Sequence, residues 1–155
     1  MPEQLKAVSG GRRINVDPSE ATLAIDTGLP GTYLTYFPDA LTFKNGALYH
    51  ANITAAGSRY TWSIYLTAGT YDLNLITLGN YLSAGNLEWF VDGVSVLFLD
   101  PTTIGGAYNQ LSTQTGIVIP TSGNHLFELS VPSKPAPNTG YEVWVDAICF
   151  APATD

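Results

Sequence analysis

Over much of this chain large apolar residues recur at every second position, and no long segment sustains the 3.6-residue rhythm of a helix. Tyr60, Trp62, Ile64 and Leu66 fall on one face of an extended segment, with Thr61, Ser63 and Tyr65 on the other. Tyr71, Leu73 and Leu75 repeat the pattern, and so do Leu87, Trp89 and Val91 against Glu88, Phe90 and Asp92. Such alternation predicts antiparallel strands with one buried face. Further strands are predicted at 22–25, 33–37, 47–54, 94–99, 117–119, 125–131 and 141–150.

Turn chemistry separates these segments. Asn45-Gly46 precedes one strand, and Asp92-Gly93 is a two-residue hairpin signal. Loops are expected at 79–86, at 102–115 as the longest, and at 132–140, where three prolines bar a central strand. Residues 1–13 are polar, pass through Gly10-Gly11 to Arg12-Arg13, and read as a flexible N-terminal arm. Residues 14–155 read as one all-β domain, an antiparallel β-sandwich without internal repeats.

Composition sharpens this picture. The 155 residues are 45% hydrophobic but only 12% charged, about half the usual ~25% for a soluble domain. The surface is therefore expected to be rich in Thr, Asn, Gly and Tyr. A net charge of -7 with six Lys and Arg argues against nucleic acid, whose phosphates are met by clustered cations. Three of those six, Lys6, Arg12 and Arg13, lie in the arm, where they suit docking on an acidic protein surface. No apolar run approaches the ~18 residues of a membrane helix, and no secretory signal core follows Met1. The expectation is a chain made in a cytoplasm.

Candidate chemistry is sparse. Cys149 sits in the apolar run Ala147-Ile148-Cys149-Phe150 and reads as an inert thiol. His50 and His125 fall in or beside strands without zinc-ligand spacing. No Gly-x-Ser-x-Gly motif supports a serine nucleophile, and Glu88 and Glu142 read as strand-face carboxylates rather than a glycosidase pair. No enzyme is expected. The aromatic residues carry more. Tyr81 and Tyr108 lie in loops beside Asn80, Asn86, Asn109 and Gln110, a combination of apolar area and hydrogen-bonding tips suited to a sugar or protein surface.

Ala68-Gly69-Thr70-Tyr71, then Val91-Asp92-Gly93-Val94, then Gly123-Asn124-His125, then Val145-Asp146, occur in one order over about residues 60–150. This order resembles the galactose-binding-like jelly-roll sandwiches, and within them the carbohydrate-binding modules joined to glycoside hydrolases. The resemblance implies a jelly roll and a glycan ligand. It places Trp144 where such modules commonly carry a sugar-binding asparagine, so stacking replaces hydrogen bonding there. It also implies a structural calcium held by an early glutamate and the late aspartate, here Glu20 and Asp146, although calcium takes six to eight oxygens.

Two functions follow as expectations. The first is a virion surface protein, a bacteriophage capsid decoration or fibre component held by its arm, with protein partners and a trimeric state by analogy of fold. The second is a carbohydrate-binding module or glycan adhesin using Tyr81, Tyr108, Asn80, Asn109 and Trp144.

Overall fold

The structure is a computed structural model that describes residues 12–34, 47–106 and 108–153. Two antiparallel sheets face each other. The first has the spatial order β3 (Tyr33–Leu34), β4 (Leu48–His50), β11 (Val143–Pro152), β6 (Gly69–Thr77) and β9 (Gln110–Ile119), with β1 (Ile14–Val16) also paired to β11. The second runs β2 (Thr22–Ile25), β5 (Arg59–Leu66), β10 (Gly123–Ser130), β7 (Leu87–Val91) and β8 (Val94–Leu99). The fold is an all-β antiparallel sandwich, as the alternation implies, and a jelly roll, as the resemblance implies.

The core forms where the two alternating faces meet. Tyr60, Trp62, Ile64 and Leu66 of β5 are buried, as are Tyr71, Leu73 and Leu75 of β6 and Leu87, Trp89 and Val91 of β7. Trp89 stacks on Phe127 at 5.3 Å between centroids, and Phe127 meets Phe150 of the opposite sheet edge-on at 5.1 Å. Each such side chain contributes about 1.5–3 kcal/mol on burial. The Asp92-Gly93 turn joins β7 to β8 with both residues at positive φ, 50° and 81°, as a tight hairpin requires.

The structure revises the sequence expectations in several places. The expected loop at 102–115 is instead loop and then a ten-residue strand, since β9 begins at Gln110. Apart from the exposed Leu111, its residues Gln110 to Thr115 are polar, so no alternation marks them, and their order comes from pairing with β6 along one edge of the sheet. The strand expected at 47–54 is shorter, because Asn52 takes positive φ. Ile14–Val16, where the domain was expected to start, is itself a strand on β11. The Asn45-Gly46 turn, residues 35–37 and residues 1–11 of the expected arm, with Lys6, lie outside the described residues.

Candidate functional site

At one end of the sandwich three loops pack together: residues 78–86, 100–109 and 131–142. The first and third are zipped by backbone hydrogen bonds: Gly85 to Glu142, Glu142 to Ser83, Thr139 to Leu82 and Asn86 to Ser133. The buried Asn138 side chain donates to the carbonyls of Tyr81 at 3.1 Å and Ala84 at 2.8 Å. Gly140 makes this approach possible, since a Cβ there would stand 2.9 Å from the Ser83 carbonyl oxygen. The Asn80 N–H donates to Gly106 at 2.7 Å and ties in the second loop.

This packing assembles an aromatic cluster. Trp144 projects from the outer face of β11 and is buried, with Tyr49 of β4 edge-on at 5.4 Å and Tyr108 at 5.2 Å. Tyr108 in turn meets Tyr81 at 5.9 Å, and Tyr81 is 40% exposed. The order is therefore graded. Trp144 with Ala47, Leu78 and Ala84 forms the base, and Tyr81 forms the open rim. The Tyr49 hydroxyl donates to the Glu142 carboxylate, and burial, then that carboxylate, push the Tyr49 phenol well above its usual range.

Glu142 also lines an adjoining polar cleft of about 500 Å³, within the ~300–1,000 Å³ of small-molecule sites. Leu29, Asn52, Thr54, Lys134, Thr139 and Tyr141 form its other walls. The Lys134 ammonium lies over the Tyr141 ring, 5.2 Å from its centroid. Rings beside hydroxyl, amide and carboxylate groups suit a ligand with apolar faces and many hydroxyls.

Of the residues singled out from sequence, Tyr81, Tyr108 and Trp144 meet here. Asn80 and Asn109 flank Tyr81 and Tyr108 in the same loops, Asn80 exposed and Asn109 at φ 53°. Trp144 is 8% exposed, so its place is beneath the tyrosines rather than on the surface. Arg12 and Arg13 lie apart, beside β1, where the Arg13 guanidinium donates to the Cys149 thiol at 3.4 Å. Glu88, on the opposite sheet, accepts from Ser95 at 2.7 Å and does not approach Glu142. Lys134 drew no attention in the sequence. Its signal is a lone cation inside a run with three prolines.

The resemblance implies Glu20 and Asp146 as calcium ligands. Glu20 is exposed in a short 3-10 turn, Pro18–Glu20, after β1, and Asp146 is buried at a bulge of β11. The β1–β11 register directs that turn toward Asp146. Among the described residues no group of three His, Cys, Asp or Glu gathers there or elsewhere.

No family model matches the sequence, and no curated protein matches it. Solved structures do. The chain is similar to part of a Paenibacillus xanthan lyase, with TM-score 0.71 and 18% identity over 90% of this chain and 13% of the lyase. It is similar over 92% of its length to a whole family 35 carbohydrate-binding module from Clostridium thermocellum, covering 100% of that chain, with TM-score 0.62 and 16% identity. A family 36 module in complex with calcium and xylotriose matches with TM-score 0.53 and 15% identity, covering 90% of this chain and 98% of that one. At these identities the likeness shows the fold.

Proposed function

We propose that this chain is a non-catalytic glycan-binding module whose site is the loop end built on Trp144. One observation carries the reading: Tyr49, Tyr81 and Tyr108 converge with Trp144 beside the polar cleft that contains Glu142. A sugar ring offers a C–H face for aromatic stacking and hydroxyls for carboxylate, amide and hydroxyl partners. Tyr81 supplies the exposed ring, and Glu142, Asn52, Thr54 and Thr139 supply polar contacts. The solved modules of families 35 and 36, one of them holding xylotriose, support the same reading.

Of the two expectations from sequence, this was the second, and the comparisons favour it. Nothing in them points to a virion role. The test is a glycan array followed by titration calorimetry on the leading ligands, with Tyr81→Ala as the control. Binding that Tyr81→Ala abolishes supports the site. Absence of binding across neutral and acidic glycans removes the reading.

A further inference from the structure

Three polar atoms converge beside Gly28. A Cβ there would stand 3.0 Å from His50 Nε2 and 3.3 Å from both Asp26 Oδ1 and Thr32 Oγ1, so only glycine leaves this space open. The three side chains come from both layers. Asp26 follows β2 of the second sheet, Thr32 precedes β3, and His50 lies on β4 of the first sheet. None of them lines the polar cleft at the loop end.

Their bonding capacity is unfilled. His50 is fully buried, and its Nε2 makes no hydrogen bond among the described residues. It faces Asp26 Oδ1 at 3.3 Å, within ion-pair reach but without hydrogen-bond geometry. A buried polar atom in that state is costly unless something engages it. Asp26 Oδ1 is fixed by the Gly28 N–H at 2.8 Å and keeps a second lone pair. Thr32 Oγ1 spends its hydrogen on the Leu29 carbonyl at 2.8 Å, which leaves its lone pairs free. The other ring nitrogen of His50, Nδ1, lies against the Tyr60 hydroxyl. A hydroxyl gives or accepts, so Tyr60 can accept from Nδ1–H and leave Nε2 with a bare lone pair toward Asp26. Metal-ligating histidines are held by such a bond on the far nitrogen.

The spacing suits a small ion. With zinc bonds of about 2.0–2.2 Å to imidazole nitrogen and carboxylate oxygen, atoms 3.3 Å apart subtend about 105° at the metal, close to the tetrahedral angle. Calcium instead takes six to eight oxygens, and imidazole selects transition metals. Asp26 is 39% exposed, so an ion enters from its side and water completes the shell. His125 offers no such place, since Asp92 and the Thr121 carbonyl engage both of its ring nitrogens.

We propose that His50, Asp26 and Thr32 form a site for one divalent transition-metal ion, zinc fitting best, which clasps the crossing from β2 to β3 onto β4. The ion thereby links the two sheets at a point where no strand pairing joins them.

The test uses the whole untagged chain with zinc chloride in calorimetry and thermal melts at neutral pH. Zinc should bind at one ion per chain. At about a hundredfold excess over its Kd it should raise the Tm by roughly 5–10 °C. A tenfold excess of calcium over zinc should not displace it. Asp26→Asn keeps an oxygen for the Gly28 N–H but removes the charge, so its metal-free Tm should stay close to the parent's. Gly28→Ala leaves all three side chains in place and fills the space between them. Each should weaken zinc binding tenfold or more, while His125→Gln should bind zinc as the parent does. In NMR spectra zinc should shift the ring nitrogens of His50 and leave those of His125 in place. Absence of zinc binding at about 1 mM overturns the site. So does displacement by calcium, binding that survives both Asp26→Asn and Gly28→Ala, or a zinc response at His125 instead of His50. The glycan-binding reading stands or falls separately from every one of these outcomes.

Discussion

Asp92 Oδ2 lies 2.6 Å from His125 Nδ1, while the other ring nitrogen of His125 faces the Thr121 carbonyl at 2.9 Å. Asp92 Oδ1 accepts from the Leu126 N–H at 2.9 Å, and the Asp92 N–H donates to the Leu126 carbonyl at 2.8 Å. One aspartate thereby locks the β7–β8 turn onto β10. An imidazole between a carboxylate and a carbonyl suits the doubly protonated ring. The hydrogen bond to Asp92 raises the His125 pKa above 6.5, and the same bond lowers Asp92 below 3.8.

The sign of the pH dependence follows from these shifts. The His125 contribution is complete below 6.5, its unfolded value, and fades as pH rises through the higher folded value. The Asp92 contribution is complete above 3.8 and fades as pH falls through the lower folded value. The pair is therefore strongest between these two unfolded values. Asp92→Asn keeps a turn residue that tolerates positive φ but removes the charge. Because Asp92 is half exposed, the loss should be modest, about 1 kcal/mol near pH 5.5 and smaller at alkaline pH, read from urea melts at each pH.

His50 behaves oppositely. It is fully buried, its Nδ1 lies 2.5 Å from the Tyr60 hydroxyl, and its Nε2 lies 3.3 Å from Asp26 Oδ1. Burial lowers its pKa despite Asp26. Its contribution is present above 6.5 and is lost as pH falls toward the folded value, where the unfolded chain binds the extra proton. His50 and His125 thus pull stability in opposite directions across neutrality. Tyr60→Phe leaves the buried His50 nitrogen without its donor and should cost about 1–3 kcal/mol, seen as a lower Tm at pH 7.5.

Tyr81→Ala and Trp144→Ala should separate contact from support. Tyr81 is 40% exposed, so its loss should weaken glycan binding at least tenfold, with stability within about 0.5 kcal/mol of the parent. Trp144 is the buried base beneath Tyr49 and Tyr108, so its loss should cost about 3–5 kcal/mol of stability. Calorimetric binding and thermal melts on both variants check this. A fully stable Trp144→Ala chain would contradict the graded cluster.

Asn138→Ala removes both bonds that hold the Tyr81 and Ala84 carbonyls. Loops 78–86 and 131–142 should then open locally. Hydrogen exchange at the Thr139 and Glu142 amides should quicken about tenfold or more, with the amides of β5 and β10 unchanged. The same variant should weaken ligand binding, because Tyr81 and Glu142 lose their common brace.

The parts of this structure that were legible in the sequence share one cause. β5, β6, β7 and β10 bury one face and free the other, so alternation reports them directly. The first half of β9 buries neither face fully and left no such trace. Tyr81 and Tyr108 could be picked out because tyrosines in polar loops lack a core to serve. Trp144 could be singled out as a residue but not weighed, since only the Tyr49–Trp144 pairing across β4 and β11 shows that it is covered. The cleft that joins Lys134 to Glu142, which read only as a strand-face carboxylate, was hidden for a different reason. The two residues share a cleft because Ala84 bridges to Glu142 and Asn86 holds Ser133, contacts between chain segments about 50 residues apart.

β1 lies against β11, with Ile14 opposite Phe150, while Trp144 sits six residues back along the same strand. At about 3.3 Å per residue this puts the described domain's entry and exit side by side, roughly 20 Å from the ring cluster. A circular permutant that joins residue 153 to residue 12 through a short glycine linker and opens at the Asp92-Gly93 turn should retain the sandwich. The neighbouring entry and exit leave the loop end of the sandwich clear of residues 12 and 153.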